Sequence, residues 1–187
     1  MNKKCIITGA SKGVGKAIAK FLIQDNWSVL DISRSSGYDL NNLEVVSQIV
    51  EMASDDCDLF INSAAVFPAQ RILLSNLYDK VDKLITIGSI AGDFYKDIND
   101  DYSRFKFELS DLNNRLSVLP TANDLLMLKL SVLEDAVITD CPVHYTEVVD
   151  IIKFWLLTPS VKTIETKIKF TPYTILQLKK RYNINVG

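Results

Sequence analysis

The sequence predicts an α/β fold in which a doubly wound parallel sheet lies between two layers of helices. Short apolar runs alternate with longer segments whose apolar residues recur at helical spacing. Strands and helices that alternate in this way form βαβ units, whose parallel sheets are covered on both faces. The 187 residues, 48% of them hydrophobic, fit one domain, with residues 171–187 as a C-terminal tail.

The strands are predicted from short runs of apolar and β-branched residues, several of which end at glycine or serine. In chain order they are Lys4–Thr8, Trp27–Ser33, Asp58–Ala65, Lys83–Ser89, Leu125–Leu133 and Thr166–Phe170. Parallel sheets bind ligands at the carboxyl ends of their strands, so the loops after these runs are the places to search for chemistry.

The helices are predicted from apolar stripes with a period near 3.6 residues. Val14, Ile18 and Leu22 form such a stripe, and Phe105 and Leu109 belong to another. The predicted helices are Gly13–Gln24, Leu43–Ala53, Ala69–Val81, Tyr102–Ser117 and Thr146–Leu157. The polar segment Asp93–Asp101 is predicted to be a solvated loop over the mouth of the site.

Composition excludes several classes of function. The 21 basic and 23 acidic residues give a net charge of −2, which argues against an electrostatically driven nucleic-acid binder. No apolar run approaches the roughly 18 residues that span a membrane. Three scattered cysteines form no disulfide framework, which favours a reducing cytoplasm, and with the single histidine, His144, they predict no zinc site.

A glycine-rich turn follows the first strand and opens the first helix. The segment Thr8–Lys16 reads TGASKGVGK, which places Gly9, Gly13 and Gly15 before a helix N-terminus. Glycines admit a phosphate close to the backbone, and the helix N-terminus attracts its negative charge. A Walker loop would need glycine at position 10 and a hydroxyl at position 17, and both positions are alanine. The turn therefore predicts a dinucleotide site in a Rossmann-type sheet, with Ser11, Lys12 and Val14 completing it.

This Thr-Gly-x-x-x-Gly-x-Gly turn is similar to the glycine motif of the short-chain dehydrogenases/reductases. Other segments fit the same family. Asp39 and Leu40 look like its adenine-contacting pair. Asn62, Ser63 and Ala64, followed by Ala65, look like its Asn-Asn-Ala-Gly motif, with departures at the second and fourth positions. Val137 and Thr139 match a later motif in which this chain has Glu134-Asp135 in place of Pro-Gly. The resemblance implies that all of these residues bind the cofactor, except the replaced pair.

The end of the second strand indicates which cofactor is preferred. An acidic residue there binds the ribose hydroxyl of NAD, whereas a basic residue accommodates the 2′-phosphate of NADP. Ser33 stands where a family member that prefers NAD has aspartate. Asp31 lies two residues before that position, which is too early in the strand for this role. Arg34 and Lys12 supply positive charge, and Ser35 is next to them. We expect NADP(H), with NAD(H) less favoured.

A Tyr-x-x-x-Lys pair, Tyr102 and Lys106, lies in the predicted fourth helix, where positions i and i+4 share a face. Ser89 ends a strand 13 residues earlier, which matches the interval in the family. A nearby ammonium lowers the pKa of a phenol from about 10, toward the range useful in acid–base catalysis. The resemblance implies that Tyr102 exchanges a proton with the carbonyl oxygen and that Ser89 hydrogen-bonds that oxygen. It also implies that Lys106 holds the nicotinamide ribose, and that Tyr102 as well as Lys106 contacts the cofactor.

The chain departs from the family by deletion. Only 27 residues separate Asn62 from Ser89, so one helix must replace two, and the family's catalytic asparagine has no aligned counterpart. Asn76 is nearby but is expected to lie on a helix surface. The segment before Thr146, which usually closes over substrate, is also short. We therefore expect an open site, or one completed by a second copy of the chain.

The sequence thus favours an NADP(H)-dependent reductase of carbonyls, or dehydrogenase of alcohols, acting on a small molecule. A non-catalytic NADP-binding sensor or scaffold is the alternative, because the asparagine and the substrate segment are missing. A nucleotide-sugar epimerase or dehydratase is disfavoured, since the chain lacks room for a substrate lobe.

Overall fold

The computed structural model describes residues 3–94, 100–131, 143–158 and 163–168. The strands are β1 (Lys4–Thr8), β2 (Ser28–Ile32), β3 (Leu59–Asn62), β4 (Lys83–Ser89), β5 (Asp124–Leu130) and β6 (Thr163–Ile168). The α-helices are α1 (Gly13–Gln24), α2 (Leu43–Asp55), α3 (Phe67–Leu77), α4 (Asp101–Ser117) and α5 (Tyr145–Leu157). Short 3-10 turns follow β2 at Arg34–Ser36 and β4 at Ile90–Phe94.

In this part of the chain the strands form one sheet of six in the order β2-β1-β3-β4-β5-β6, and all neighbours are parallel. The chain runs outward from β1 to β2, then crosses back over β1 to β3. The carboxyl ends of β1 and β3 therefore flank the point where the strand order reverses, which is where open α/β sheets bind ligands. This topology confirms the predicted doubly wound Rossmann-type sheet.

Two separate cores, one on each face of the sheet, produce the three-layer α/β/α architecture. On one face, Ile18 of α1 and Trp155 of α5 pack against strand residues such as Ile61. On the other, α2, α3 and α4 cover a second cluster that includes Phe60 and Leu109. The central strands are mainly apolar because both faces are buried.

Most predicted elements differ from the structure by a few residues at their ends. The third helix differs most, since α3 ends at Leu77 rather than at Val81, and β3 ends at Asn62 rather than at Ala65. The backbone leaves the sheet there because the N–H groups of Ser63 and Ala64 both donate to Thr8 Oγ1. A single helix, α3, joins β3 to β4, as the short spacing predicts.

The aspartate-rich segment is not wholly a solvated loop. Asp93 lies in the second 3-10 turn and accepts a 2.9 Å hydrogen bond from Lys129 Nζ on β5, whose side chain is 7% exposed. Asp100 caps α4, and Asp101 lies in its first turn. A carboxylate is favourable at both helix positions because it faces free backbone N–H groups. Residues 95–99 lie outside the described residues.

Of the three cysteines, Cys5 and Cys57 are free thiols. Burial raises the pKa of Cys57 to about 11, and it also raises the pKa of Cys5. Both thiols are therefore protonated, unreactive groups near neutral pH. Cys141 lies outside the described residues.

Candidate active site

The glycine turn after β1 is folded tightly enough to require glycine. Gly9 has φ +76° and Gly13 has φ +57°, a backbone region that other residues rarely adopt. A Cβ on Gly15 would lie 2.3 Å from the carbonyl oxygen of Gly9. The turn thus brings the first turn of α1 against the end of β1. No side chain caps α1, so its first N–H groups and the positive end of its dipole are available to an anion.

This turn forms one wall of a cavity of about 510 Å³. Most of the predicted cofactor-binding residues line it, namely Gly9, Ser11, Lys12, Gly13, Val14, Gly15, Ser33, Arg34, Asp39, Leu40, Ser63 and Ala64. Ala65, the last residue of the predicted Asn-Asn-Ala-Gly-like segment, also lines the cavity. The remaining lining residues were not predicted from the sequence; they are Ile32, Tyr38, Asn41 and Val66. Each is adjacent in sequence to a predicted segment, so extending each segment by one position would have found them.

Thr8 holds the two sides of the cavity together. Its Oγ1 accepts hydrogen bonds from the N–H groups of Ser63 and Ala64, at 2.9 and 3.0 Å, across the gap between β1 and β3. Ala64 then approaches Gly9 so closely that a Cβ on Gly9 would be 3.1 Å from its Cα. Small residues are needed on both sides because the strand ends are in direct contact.

The end of β2 carries a cluster of hydroxyl groups around Asp31. Its carboxylate accepts hydrogen bonds from the N–H of Ala10 (3.2 Å), from Ser33 Oγ (2.9 Å) and from Ser36 Oγ (3.0 Å). Asp31 therefore joins the end of β2 to the glycine turn. Ser35 Oγ is 2.8 Å from Ser33 Oγ, but Ser35 does not line the cavity as predicted, since its hydroxyl group contacts Ser33 instead.

Asp39 lies on the rim of the same cavity, beside Arg34. The backbone N–H of Asn41 lowers the pKa of its carboxyl group, with smaller contributions from the Asn41 side chain and from the charge of Arg34. Asp39 is therefore an ionised acceptor at neutral pH. The rim thus carries the cations Lys12 and Arg34 and one carboxylate that is already hydrogen-bonded.

Asn62 does not line the cavity, contrary to its predicted role. It is fully buried, and its Nδ2 donates a 2.7 Å hydrogen bond to the backbone oxygen of Gln70 on α3. The side chain points to the α3 side because successive residues of a strand alternate between its faces. Asn62 therefore joins β3 to α3 inside the core.

The predicted catalytic side chains lie at the next strand end, around β4 and α4. Asp100 caps α4 by accepting hydrogen bonds from the N–H and the Oγ of Ser103, at 2.9 and 2.7 Å. This cap fixes Tyr102 in the first turn, where its ring is 5.7 Å from that of Phe67 and its side chain is 38% exposed. The phenol is therefore accessible from solvent.

Lys106 lies one turn further along α4, and it is buried rather than exposed on the cavity wall. It is 4% exposed, and its Nζ donates hydrogen bonds to Gln70 Oε1 at 2.9 Å and to the oxygen of Ile87 at 3.3 Å. The same Nζ is 5.8 Å from the centroid of the Tyr102 ring. Burial disfavours the charged form and lowers the pKa of Lys106 from 10.5 to about 8.

Ser89 ends β4, and its Oγ accepts a hydrogen bond from the N–H of Ala91 at 3.2 Å. The 3-10 turn that follows lies directly on α4, since a Cβ on Gly92 would be 2.6 Å from the nitrogen of Phe107. Ser89, Tyr102 and Lys106 thus belong to one packed unit of β4, the turn and α4. None of the three lines the glycine-turn cavity. Val137, Thr139 and the Glu134-Asp135 pair lie outside the described residues.

Gln70 is the contact that the sequence reasoning missed. It lies on the core-facing stripe of α3 with Leu73, Leu74 and Leu77, which are all buried. A polar residue in a stripe of leucines was the available signal, because a buried amide needs hydrogen-bond partners.

Among the residues that the structure describes, no helix has the length and apolar character needed to cross a membrane.

No protein-family model matches the sequence. No curated protein matches it either. Solved structures match over most of their length, at low sequence identity. A short-chain dehydrogenase from Streptomyces avermitilis matches with a TM-score of 0.68 and 16% identity, over 97% of this chain and 92% of that chain.

Two further matches were solved with cofactors. The 3-alpha-hydroxysteroid dehydrogenase of a Pseudomonas species, complexed with NADH, gives a TM-score of 0.71 and 17% identity over 88% of this chain and 95% of that chain. A short-chain dehydrogenase from Burkholderia cenocepacia in complex with NADP gives a TM-score of 0.70 and 15% identity, over 96% of this chain and 93% of that chain. This chain therefore has the fold of the short-chain dehydrogenases/reductases.

Proposed function

We propose that the protein is an NADP(H)-dependent oxidoreductase that reduces a carbonyl group, or oxidises an alcohol, with Tyr102 as the general acid and base. The observation that carries this proposal is the buried Lys106 ammonium beside Tyr102, 5.8 Å from the centroid of its ring. Its hydrogen bond to Ile87 of β4 puts the pair at the same edge of the sheet as the glycine turn.

The cavity residues fit a dinucleotide phosphate. The glycine turn leaves no room for side chains, and the uncapped N–H groups of α1 face that turn. Lys12 and Arg34 add positive charge at the rim, and Ser33 replaces the carboxylate that would repel a 2′-phosphate. The carboxylate of Asp31 is already held by Ala10 and the serine hydroxyls. These features favour NADP(H) over NAD(H).

The catalytic roles follow from the chemistry of the three side chains. The nicotinamide, when bound, supplies or accepts the hydride. Tyr102 gives its phenolic proton to the carbonyl oxygen in reduction and takes it back in oxidation. The Lys106 ammonium favours the phenolate. The hydroxyl group of Ser89 donates a hydrogen bond to the same substrate oxygen, while its Oγ accepts a hydrogen bond from the N–H of Ala91.

Replacing the phenol tests this assignment. Tyr102→Phe keeps the ring and its contact with Phe67 but removes the proton, so we expect turnover to fall by about 100-fold or more. NADPH oxidation is followed by absorbance with a panel of aldehydes and ketones. NADPH affinity, measured by calorimetry, should change by less than about threefold because Tyr102 does not line the cavity.

Tyr78→Phe, at the end of α3, is the matched control and should retain full activity. Equal turnover by Tyr102→Phe and the wild type would contradict the assignment of Tyr102.

The burial of Lys106 favours a second candidate, a non-catalytic NADP-binding protein. Its ammonium makes two hydrogen bonds inside the protein and is 4% exposed, so it can act as a structural group. This candidate requires NADPH to bind without any carbonyl substrate being reduced, which the same panel measures.

A further inference from the structure

Gln70 is a buried side chain whose NH₂ group and carbonyl oxygen both form hydrogen bonds beside the proposed catalytic lysine. It is 1% exposed and lies on α3, opposite α4. Its Nε2 donates to the backbone oxygens of Asn62 and Ile87, both at 3.0 Å. Its Oε1 accepts from Lys106 Nζ at 2.9 Å. One amide thus connects β3, β4 and α4.

The amide of Gln70 has only one workable orientation. Its NH₂ group faces two carbonyl oxygens, so a flipped amide would place oxygen against oxygen and NH₂ against the ammonium. Asn62 also fixes the backbone of Gln70, because its Nδ2 donates a hydrogen bond to the backbone oxygen of Gln70 at 2.7 Å. The carbonyl dipole of the side chain is therefore held toward Lys106.

No carboxylate in the described part of the chain forms an ion pair with Lys106. The titratable group on its own helix that faces it is Tyr102. On the packed elements, Lys129 of β5 is paired with Asp93 of the 3-10 turn, and Arg71 of α3 is paired with Glu108. Neutral oxygens, from Gln70 and Ile87, thus accept the hydrogen bonds of the ammonium.

We propose that Gln70 is a positioning residue that holds the Lys106 ammonium beside Tyr102 through the dipole of its side-chain carbonyl. This inference rests on the proposed function for its catalytic consequence, but the interaction itself belongs to the protein without cofactor. A neutral dipole supports the charged lysine less strongly than a carboxylate would. Burial lowers the pKa of Lys106 to about 8, and a neutral partner raises that pKa less than a carboxylate would.

The experiment measures the pKa of Lys106 by NMR in protein labelled at the lysine side chains, without cofactor, and assigns the signal with Lys106→Met. Gln70→Met removes the dipole at nearly constant volume, so the pKa should fall by about one pH unit. Gln70→Glu supplies a carboxylate, so the pKa should rise by about one pH unit. The second carboxylate oxygen then faces the carbonyl oxygens of Asn62 and Ile87, so this variant should be less stable than the wild type. Gln48→Met, at an exposed position of α2, is the control and should leave the pKa of Lys106 unchanged.

Thermal unfolding shows which variants fold. If Gln70→Met does not fold, Gln70→Glu decides, because the proposal requires a raised pKa there. A pKa within about 0.3 of the wild-type value in every folded Gln70 variant would overturn the proposal.

Turnover gives the second measurement, which separates this inference from the proposed function. In a plot of kcat against pH, the basic limb should move to lower pH in Gln70→Met and to higher pH in Gln70→Glu, in step with the pKa of Lys106. If the wild type reduces no carbonyl, the proposed function fails while the NMR titration still decides the role of Gln70.

Discussion

At the scale of single residues, the proposed active site depends on a charge that the fold keeps inside the protein. Lys106 stands at a core position of α4, next to the buried residues Phe105 and Leu109. The protein stabilises this charge with carbonyl oxygens, and the burial that lowers its pKa also makes it responsive near neutral pH. A lysine at this position is costly to stability, which is typical of a functional group.

This cost predicts a pH-dependent stability. Because the pKa of Lys106 falls from 10.5 to about 8 on folding, the unfolded chain binds this proton more tightly. The free energy of unfolding should therefore rise as the pH increases from about 8 to 10.5. Relative to Lys106→Met, the wild type should gain about 2 kcal/mol between about pH 7 and 9.5, as measured by urea unfolding at both pH values. A difference that does not change with pH would show that Lys106 titrates normally.

At the scale of elements, helix α4 and the turn packed on it place the proposed catalytic groups. The cap by Asp100 fixes the first turn of α4, which holds Tyr102. The close approach of Gly92 to Phe107 puts the segment after Ser89 on the same helix. Neither strand β4 nor helix α4 alone brings the serine and the tyrosine onto one packed unit.

The cap gives a prediction at this scale. Asp100→Ala leaves the N–H of Ser103 without its acceptor, so it should lower the free energy of unfolding by about 1 kcal/mol and also reduce kcat. Asn42→Ala removes the comparable cap of α2, where Asn42 accepts from the N–H of Glu44. Asn42→Ala should lower the free energy of unfolding by a similar amount and leave kcat unchanged. Equal effects of the two variants on kcat would show that the α4 cap does not position Tyr102.

Periodicity and turn residues predicted the elements well because local signals determine them. The glycine turn is predictable since its glycines are required by φ and by close contact, which are properties of a short segment. The burial of Lys106 and of Asn62 was not predictable in this way. It depends on Gln70, which comes from a different helix, and spacing along the chain carries no information about such a contact.

At the scale of the whole molecule, the chain keeps the sheet and the two layers of helices, with a single helix between β3 and β4. The glycine-turn cavity and the Ser89–Tyr102–Lys106 unit lie at adjacent strand ends, but they do not share a lining. The proposed activity requires them to act on one pair of molecules, with the dinucleotide in the cavity and the substrate oxygen at Tyr102.

The transfer of deuterium tests this requirement most directly. The protein is incubated with NADPH or NADH deuterated at the reactive carbon and with the carbonyl panel, and the alcohols are analysed by mass spectrometry. If the proposed activity is right, deuterium appears at the carbinol carbon of at least one product, faster with NADPH than with NADH. Binding of NADPH without deuterium in any product would contradict it.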